Sequence, residues 1–426
     1  MNNTTRIKKN YSLIKFQKLV IVSILIGFLS AFLGVSLKKI TENYEEIFFH
    51  KALLNPIFFV IFPFFGLSVI YFLREYLFRK KENKGIKEIF ESTNSKSKNL
   101  PNYKIPSHFI NGLLTVAFGG STGIEVSTVV ASATIGSVAQ RKQNIFRQYK
   151  TELICAGVAA GVTALFSSPV AGILFALEVV SRKVTRSFLI STLIAVTIAS
   201  GLIYLLDEKP LFAVTITGWH LRAIPYFILL GILAGMNSVY LTRCVLFFKS
   251  QFSKIKIHYL KILLGSFILS VSLLMFPQLY GEGYHAIKTI FIYSNEVPVS
   301  FSLTLTFIAV ILLKPIVTSA TLASGGDGGV FAPSLFIGAF LGLVTAQVLN
   351  TYLDANVIPL NFMVIGMAAV LSASIHAPFT AIFLVCGLTN DYTLFLPILV
   401  VCLISQYTAK MIYPFTVYTY SPTLSK

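Results

Sequence analysis

The residue best placed to do chemistry is Glu125, the single carboxylate in Gly119–Gly136, GGSTGIEVSTVVASATIG. It stands among small and apolar residues, with nothing basic beside it in the sequence. Two roles suit such a group. One is a first-turn carboxylate stabilised by a helix N-terminus, worth about 0.3–1 kcal/mol when exposed. The other is an ionisable group at membrane depth serving an ion pathway. The remaining reactive side chains assemble into no catalytic motif. The six histidines are isolated, with no HxxxH or HExxH, and the glycine-rich stretches lack the GK[ST] of a phosphate loop. Cys155, Cys244, Cys386 and Cys402 lie in or beside apolar runs and form no CxxC. They read as buried small hydrophobes. No cofactor, no metal and no enzymatic activity is expected.

Composition says which elements must position Glu125. Hydrophobic residues make up 55% of the 426-residue chain and charged residues 12%, with a mean hydropathy of +0.76. A soluble domain carries about a quarter charged residues, so the chain reads as a polytopic membrane protein in contact with lipid. Long stretches almost free of charge at Leu19–Leu37, Ala52–Leu73, Ser187–Leu206, Ala223–Thr242 and Ile262–Gly281 each approach the roughly 20 residues that cross a hydrocarbon core as a helix. The net charge of +18 does not point to nucleic acid. Its basic residues gather in short segments, Arg6–Lys9, Arg74–Lys87, Arg141–Lys150, Arg182–Arg186 and Lys249–Lys261, which the positive-inside rule places in the cytoplasm with the N-terminus. The acidic loop expected at Thr41–Phe48, with the 207–222 and 280–300 segments, then falls outside. No soluble regulatory domain is expected after the last apolar region.

The chain also repeats itself. Gly119–Gly136 aligns with Gly325–Gly342, GGDGGVFAPSLFIGAFLG, at an offset of 206. AGVAAGVTALFSSPVAGILF (Ala156–Phe175) aligns with IGMAAVLSASIHAPFTAIFL (Ile365–Leu384) at an offset of 209. NKGIKEI (Asn83–Ile89) aligns with GEGYHAI (Gly281–Ile287) at 198. Three collinear matches indicate a structural duplication. The first span of half one runs from a basic arm to an acidic loop, whereas Ala223–Thr242 runs towards a basic segment, so the halves are inverted. The expected organisation is a cytoplasmic arm at 1–18, membrane repeats at 19–206 and 223–409, an extracellular linker at 207–222 and a C-terminal segment at 410–426. Inverted repeats place transport sites near the midplane, where interrupted helices meet. The glycine stretches at 119–123 and 325–329 supply the interruptions. Each precedes a helix-compatible run, Ile124–Gln140 and Val330–Leu349, whose N-terminal amides together would make an anion site without a buried cation.

These residues resemble the CLC family of chloride channels and proton-coupled chloride exchangers. GIEVS (Gly123–Ser127) is similar to the family's G(K/R)EGP motif, with Glu125 at the gating position, and GGVFAP (Gly328–Pro333) to its GxFxP motif. The resemblance implies that Gly123 and the amides of Val330 and Phe331 face the anion. NKGIK places Lys84, Gly85 and Ile86 where the family has GSGIP, and TVYT (Thr416–Thr419) makes Tyr418 the counterpart of the central anion-binding tyrosine. The implied protein is an all-α polytopic CLC-like fold of two inverted repeats with broken and re-entrant helices. It would work as a homodimer, each subunit carrying chloride or other small anions, with protons as a second substrate if transport is coupled.

The departures bear on mechanism. Lys84 replaces the motif serine and either brings positive charge to the inner anion entry or reaches to the cytoplasm. Val179 stands where many exchangers carry an inner glutamate, which favours a channel gated by Glu125, with exchange as the alternative. Glu178 is either an ion-pair partner of Arg182–Lys183 or an inner proton acceptor. Asp327 either caps the following helix or faces the outer vestibule.

Overall fold

The computed structural model describes residues 2–78, 85–95, 98–141, 148–181, 183–212, 214–293 and 301–420, with side chains from Lys15 onward. Lys84 and Arg182 lie outside the described residues. The regular elements of the described chain are all helices. The first half holds α1 (Asn2–Leu54), α2 (Phe58–Phe72), α3 (Ile86–Asn94), α4 (Lys104–Ala117), α5 (Glu125–Arg141), α6 (Lys150–Phe166), α7 (Pro169–Phe175) and α8 (Arg186–Leu205). The second holds α9 (Ile224–Lys254), α10 (His258–Met275), α11 (Tyr284–Tyr293), α12 (Phe301–Ala323), α13 (Phe331–Leu353), α14 (Pro359–Ile375), α15 (Pro378–Thr389) and α16 (Phe395–Ile412). Among the described residues, eight helices are long and apolar enough to cross a membrane.

The halves share one plan. α5 lies on α6 as α13 lies on α14; α6 meets α8 as α14 meets α16; α1 meets α8 as α9 meets α16. Small residues let the inner helices approach closely. A Cβ at Gly136 would come within 2.1 Å of the Leu153 carbonyl, and one at the repeat-related Gly342 within 2.0 Å of the Phe362 carbonyl. The breaks also correspond. α6 ends at Ser167 (φ 51°) and α14 at His376 (φ 55°), both left-handed. Pro169 and Pro378 then open the next helices at the position where a missing N–H costs nothing.

Two expectations about α1 and α2 are corrected. The expected loop at Thr41–Phe48 is helical, and the run Ala52–Leu73 is cut by the turn at Asn55–Ile57. Between Thr41 and Leu54 there is no Gly or Pro, and glutamates are good helix formers. The chain therefore stays helical until Asn55-Pro56, where proline disfavours helix at the residue before it.

Segments grouped by charge in the sequence also group in space. At one end Lys38 and Lys39 pair with Glu208 at 3.6 and 2.5 Å, and the Glu282 amide donates to Glu45 Oε1 at 3.1 Å. At the opposite end Lys150 donates to the Ser95 carbonyl at 2.8 Å and Arg141 to the Leu100 carbonyl at 3.0 Å. α13 is almost wholly buried, whereas α1, α2, α8, α10 and α16 present Phe32, Phe65, Leu193, Phe267 and Leu403 outward, a surface suited to lipid.

Candidate anion pathway and gate

The two glycine loops cross at the centre of the molecule. Gly123 and Gly329 form an antiparallel bridge, in which the Gly329 amide donates to the Gly123 carbonyl at 3.1 Å. Thr122 Oγ1 donates to the Gly329 carbonyl at 2.8 Å. The ends of α4 and α12 hold this crossing reciprocally. Thr115 Oγ1 accepts from the Asp327 amide at 2.9 Å, and Thr321 Oγ1 accepts from the Ser121 amide at 3.1 Å. The 206-residue offset carries one bond onto the other, Thr115 onto Thr321 and Ser121 onto Asp327, so each half satisfies a buried backbone donor of the other.

Out of this crossing start α5 and α13. Glu125 is the first residue of α5 and only 2% exposed. Its carboxylate folds back against Gly123, where a Cβ would fall 1.9 Å from Oε2. It faces its own backbone N–H and that of Ala332, in the first turn of α13. Oε1 accepts from Tyr284 Oη at 2.6 Å, while Oε2 has no hydrogen-bond partner of standard geometry. The carboxylate thus sits where two helix N-termini, one from each half, bring their positive ends together.

Tyr418 approaches the same place from the C-terminal segment. Its hydroxyl accepts from the Val330 amide at 3.4 Å, and its ring centroid lies 6.5 Å from that of Phe331. A local turn aims it: Thr416 Oγ1 accepts from the amides of Tyr418 at 3.2 Å and Thr419 at 3.1 Å. α3 begins beside α5. Gly85 has φ 62°, a conformation glycine adopts without strain, and a Cβ there would lie 3.5 Å from Val126 Cγ1. Ile86 follows, fully buried. Of the residues singled out in the sequence, Gly123, Glu125, Val330, Phe331 and Tyr418 are therefore neighbours, with Gly85 and Ile86 against the α5 start.

Glu178 and Asp327 make other bonds. Glu178 Oε2 accepts from the Thr380 amide at 2.7 Å and Thr380 Oγ1 at 2.6 Å, and Oε1 from the Phe379 amide at 3.4 Å. Its described partners all lie in the first turn of α15, so it caps that helix from the opposite half. Asp327 lies in the second glycine loop, ahead of α13. It is held by His108 of α4, with Nδ1 2.9 Å from Oδ2. Val179, the residue beside Glu178, is buried.

Four residues around Glu125 escaped the sequence reading. Tyr284 opens α11, Glu282 precedes it, Glu45 lies on α1 and Lys314 on α12. Glu282 Oε1 accepts from the Ile124 amide at 2.9 Å, taking a backbone donor of the α5 N-terminus. Lys314, fully buried, donates to the Gly281 carbonyl at 3.1 Å and stands 4.6 Å over the Phe336 ring. It lies within electrostatic reach of Glu45, Glu282 and Glu125. This is the cation missing from the sequence around Glu125. The signals were present: Glu282 and Tyr284 occur in the repeated GEGYHAI, and a lysine in the apolar run IAVILLKPIV marks a functional position in a membrane helix.

Inverted halves whose helix N-termini converge on a buried carboxylate define a polytopic anion transporter of the CLC class. The chain belongs to the voltage-gated chloride channel family, whose model matches residues 65–410. It is 27% identical over 417 residues to the H+/Cl− exchange transporter ClcA of Salmonella arizonae, covering 90% of this chain and 84% of that one. It is also 27% identical over 312 residues to the voltage-gated ClC-type chloride channel ClcB of Escherichia coli O81, covering 72% of each. Its fold matches the crystal structure of a slow cyanobacterial Cl−/H+ antiporter with a TM-score of 0.80 at 23% identity, over 94% of this chain and 96% of that one.

Proposed function

We propose that the protein exchanges chloride for protons across a membrane, with Glu125 as the gate. One observation carries this reading: the Glu125 carboxylate occupies the meeting point of the α5 and α13 N-termini. In that seat it takes the place an anion would take. Protonation removes the charge that binds it there, and the carboxyl yields the seat to chloride; deprotonation draws it back. Tyr418 and the amides of Val330 and Phe331 form the next anion contact inward, where a phenol O–H donates to chloride without the cost of burying a cation. Gly85 and Ile86 border the inner entry.

Exchange is favoured over the channel suggested by Val179. The relative named as an exchanger aligns over 90% of this chain, against 72% for the relative named as a channel. The capping bonds of Glu178 support a structural role for it, with inner proton acceptance as the role to be tested. The acidic end of the molecule is the outer one, and the N-terminus is cytoplasmic in a plasma or inner membrane. The working unit is a homodimer with one pathway in each subunit.

The test is chloride and proton flux in liposomes holding only this protein. An outward chloride gradient should drive protons inward against their own gradient. Glu125→Gln should retain chloride flux, lose proton movement and lose pH dependence. Proton movement that never opposes its gradient would leave a channel, and unchanged pH dependence in the variant would remove Glu125 from the gate.

A further inference from the structure

Glu125 is closed off from the acidic end by a layer that its own helix does not supply. A cavity of about 740 Å³ opens there, lined among others by Glu42, Glu45, Glu282, Tyr284 and Lys288. Glu125 does not line it. Tyr284 stands between them, bordering the cavity and donating its hydroxyl to Glu125 Oε1 at 2.6 Å. Tyr284 is also the first residue of α11, the repeat counterpart of Ile86 at the start of α3. The fold that places a backbone N-terminus beside the pathway in one half thus places a phenol against the gate in the other.

We infer that Tyr284 is an outer latch, holding the ionised Glu125 carboxylate in the anion seat and releasing it when Glu125 is protonated or chloride displaces it. This deepens, and rests on, the gating role proposed for Glu125. The bond has a direction. A hydroxyl hydrogen bond to a charged acceptor is stronger than one to a neutral carboxyl, so the latch favours the closed, ionised gate. Its setting keeps it in place. Phe212 meets the Tyr284 ring edge-on at 5.8 Å, and Glu282 is anchored on the Ile124 amide. The other charged or titratable groups facing the gate are Glu282 before α11, Lys314 of α12 and Tyr418 of the C-terminal segment. Glu45 and Glu42 of α1 stand behind Glu282, and Lys288 of α11 lies within reach of both. None of these donates a hydrogen bond to Glu125 among the described residues, so Tyr284 is its one side-chain donor there. Tyr284 is a positioning residue; it acts on chloride only through Glu125.

The experiment compares the wild-type protein, Tyr284→Phe, Glu125→Gln and the double variant in liposomes from pH 4.5 to 8.5. Chloride affinity is measured alongside by calorimetry on the detergent-purified proteins. Tyr284→Phe removes one oxygen and keeps the ring against Phe212. It should move the half-activation of chloride flux to a proton concentration roughly tenfold lower and tighten chloride binding at pH 8 by a similar factor. Tyr280→Phe loses a hydroxyl whose one hydrogen bond among the described residues goes to the Ala117 carbonyl, and it should leave the midpoint in place. In the Glu125→Gln background, Tyr284→Phe should change neither quantity. An unmoved midpoint with unchanged affinity, or a shift that persists without Glu125, overturns the latch. If Glu125→Gln itself keeps the wild-type pH profile, it is the gating role that has failed.

Discussion

At the scale of single residues, the proposed gate depends on what is absent at Gly123. Its φ is not positive, so the backbone would accept alanine there, and the nearest atoms a methyl group would meet are those of the carboxylate. A methyl group would occupy the volume of Glu125 Oε2. Gly123→Ala should therefore expel the carboxylate and reproduce Glu125→Gln, with chloride flux that no longer responds to pH between 5 and 8. Flux assays on the two variants check this; a normal pH profile in Gly123→Ala would show that the carboxylate rests elsewhere. The same scale shows how charge is managed. Glu125, Glu282 and Glu45 share one fully buried ammonium, Lys314. Interacting carboxylates of this kind exchange protons as a group rather than singly. Pairing of this cluster could not be read along the chain, because its members are far apart in sequence, on α1, α5 and α12 and in the turn before α11.

At the scale of elements, the proposed function rests on the helix ends. α5 and α13 were legible because each follows a glycine run that no continuous membrane helix would keep. The α6–α7 and α14–α15 breaks were not read as breaks; the sequence showed there only the aligned prolines of the repeat, Pro169 and Pro378. The helical continuity of Thr41–Phe48 was not legible either. Charge alone suggested a loop, whereas the absence of a breaker decided for helix, and this is what carries Glu45 to the gate. The cap on α15 makes a separate prediction. Glu178→Ala leaves the amides of Phe379 and Thr380 without their carboxylate and should cost about 1–2 kcal/mol, read as a lower thermal unfolding midpoint in detergent. Proton–chloride coupling should survive. Loss of proton movement with retained chloride flux would instead make Glu178 the inner proton acceptor.

At the scale of the whole molecule, the halves are interlocked at their glycine loops and not merely placed side by side. Thr115 and Thr321 each satisfy a backbone donor of the opposite loop, so neither loop keeps its bonds without the other half. The orientation is open to a direct check. In a background lacking the native cysteines, Glu46→Cys should react with a membrane-impermeant maleimide added outside intact cells. Ser253→Cys should react only after permeabilisation. Both positions are exposed on the protein, and the reverse pattern would invert the assigned topology.

The sequence by itself determined the membrane class, the inverted duplication and the two broken helices, and it singled out Glu125, the proposed gate. Each of these is written locally, in hydropathy, glycine runs and repeated spacing. The tertiary structure decided what surrounds the gate: the seat against Gly123 and Ala332, the hydroxyl of Tyr284, the Glu282 carboxylate on the α5 N-terminus and the Lys314 ammonium. The physical reason is desolvation. A carboxylate buried at 2% exposure must find its donors and countercharge in the protein. In an inverted repeat those partners come from the opposite half, beyond the reach of any local pattern.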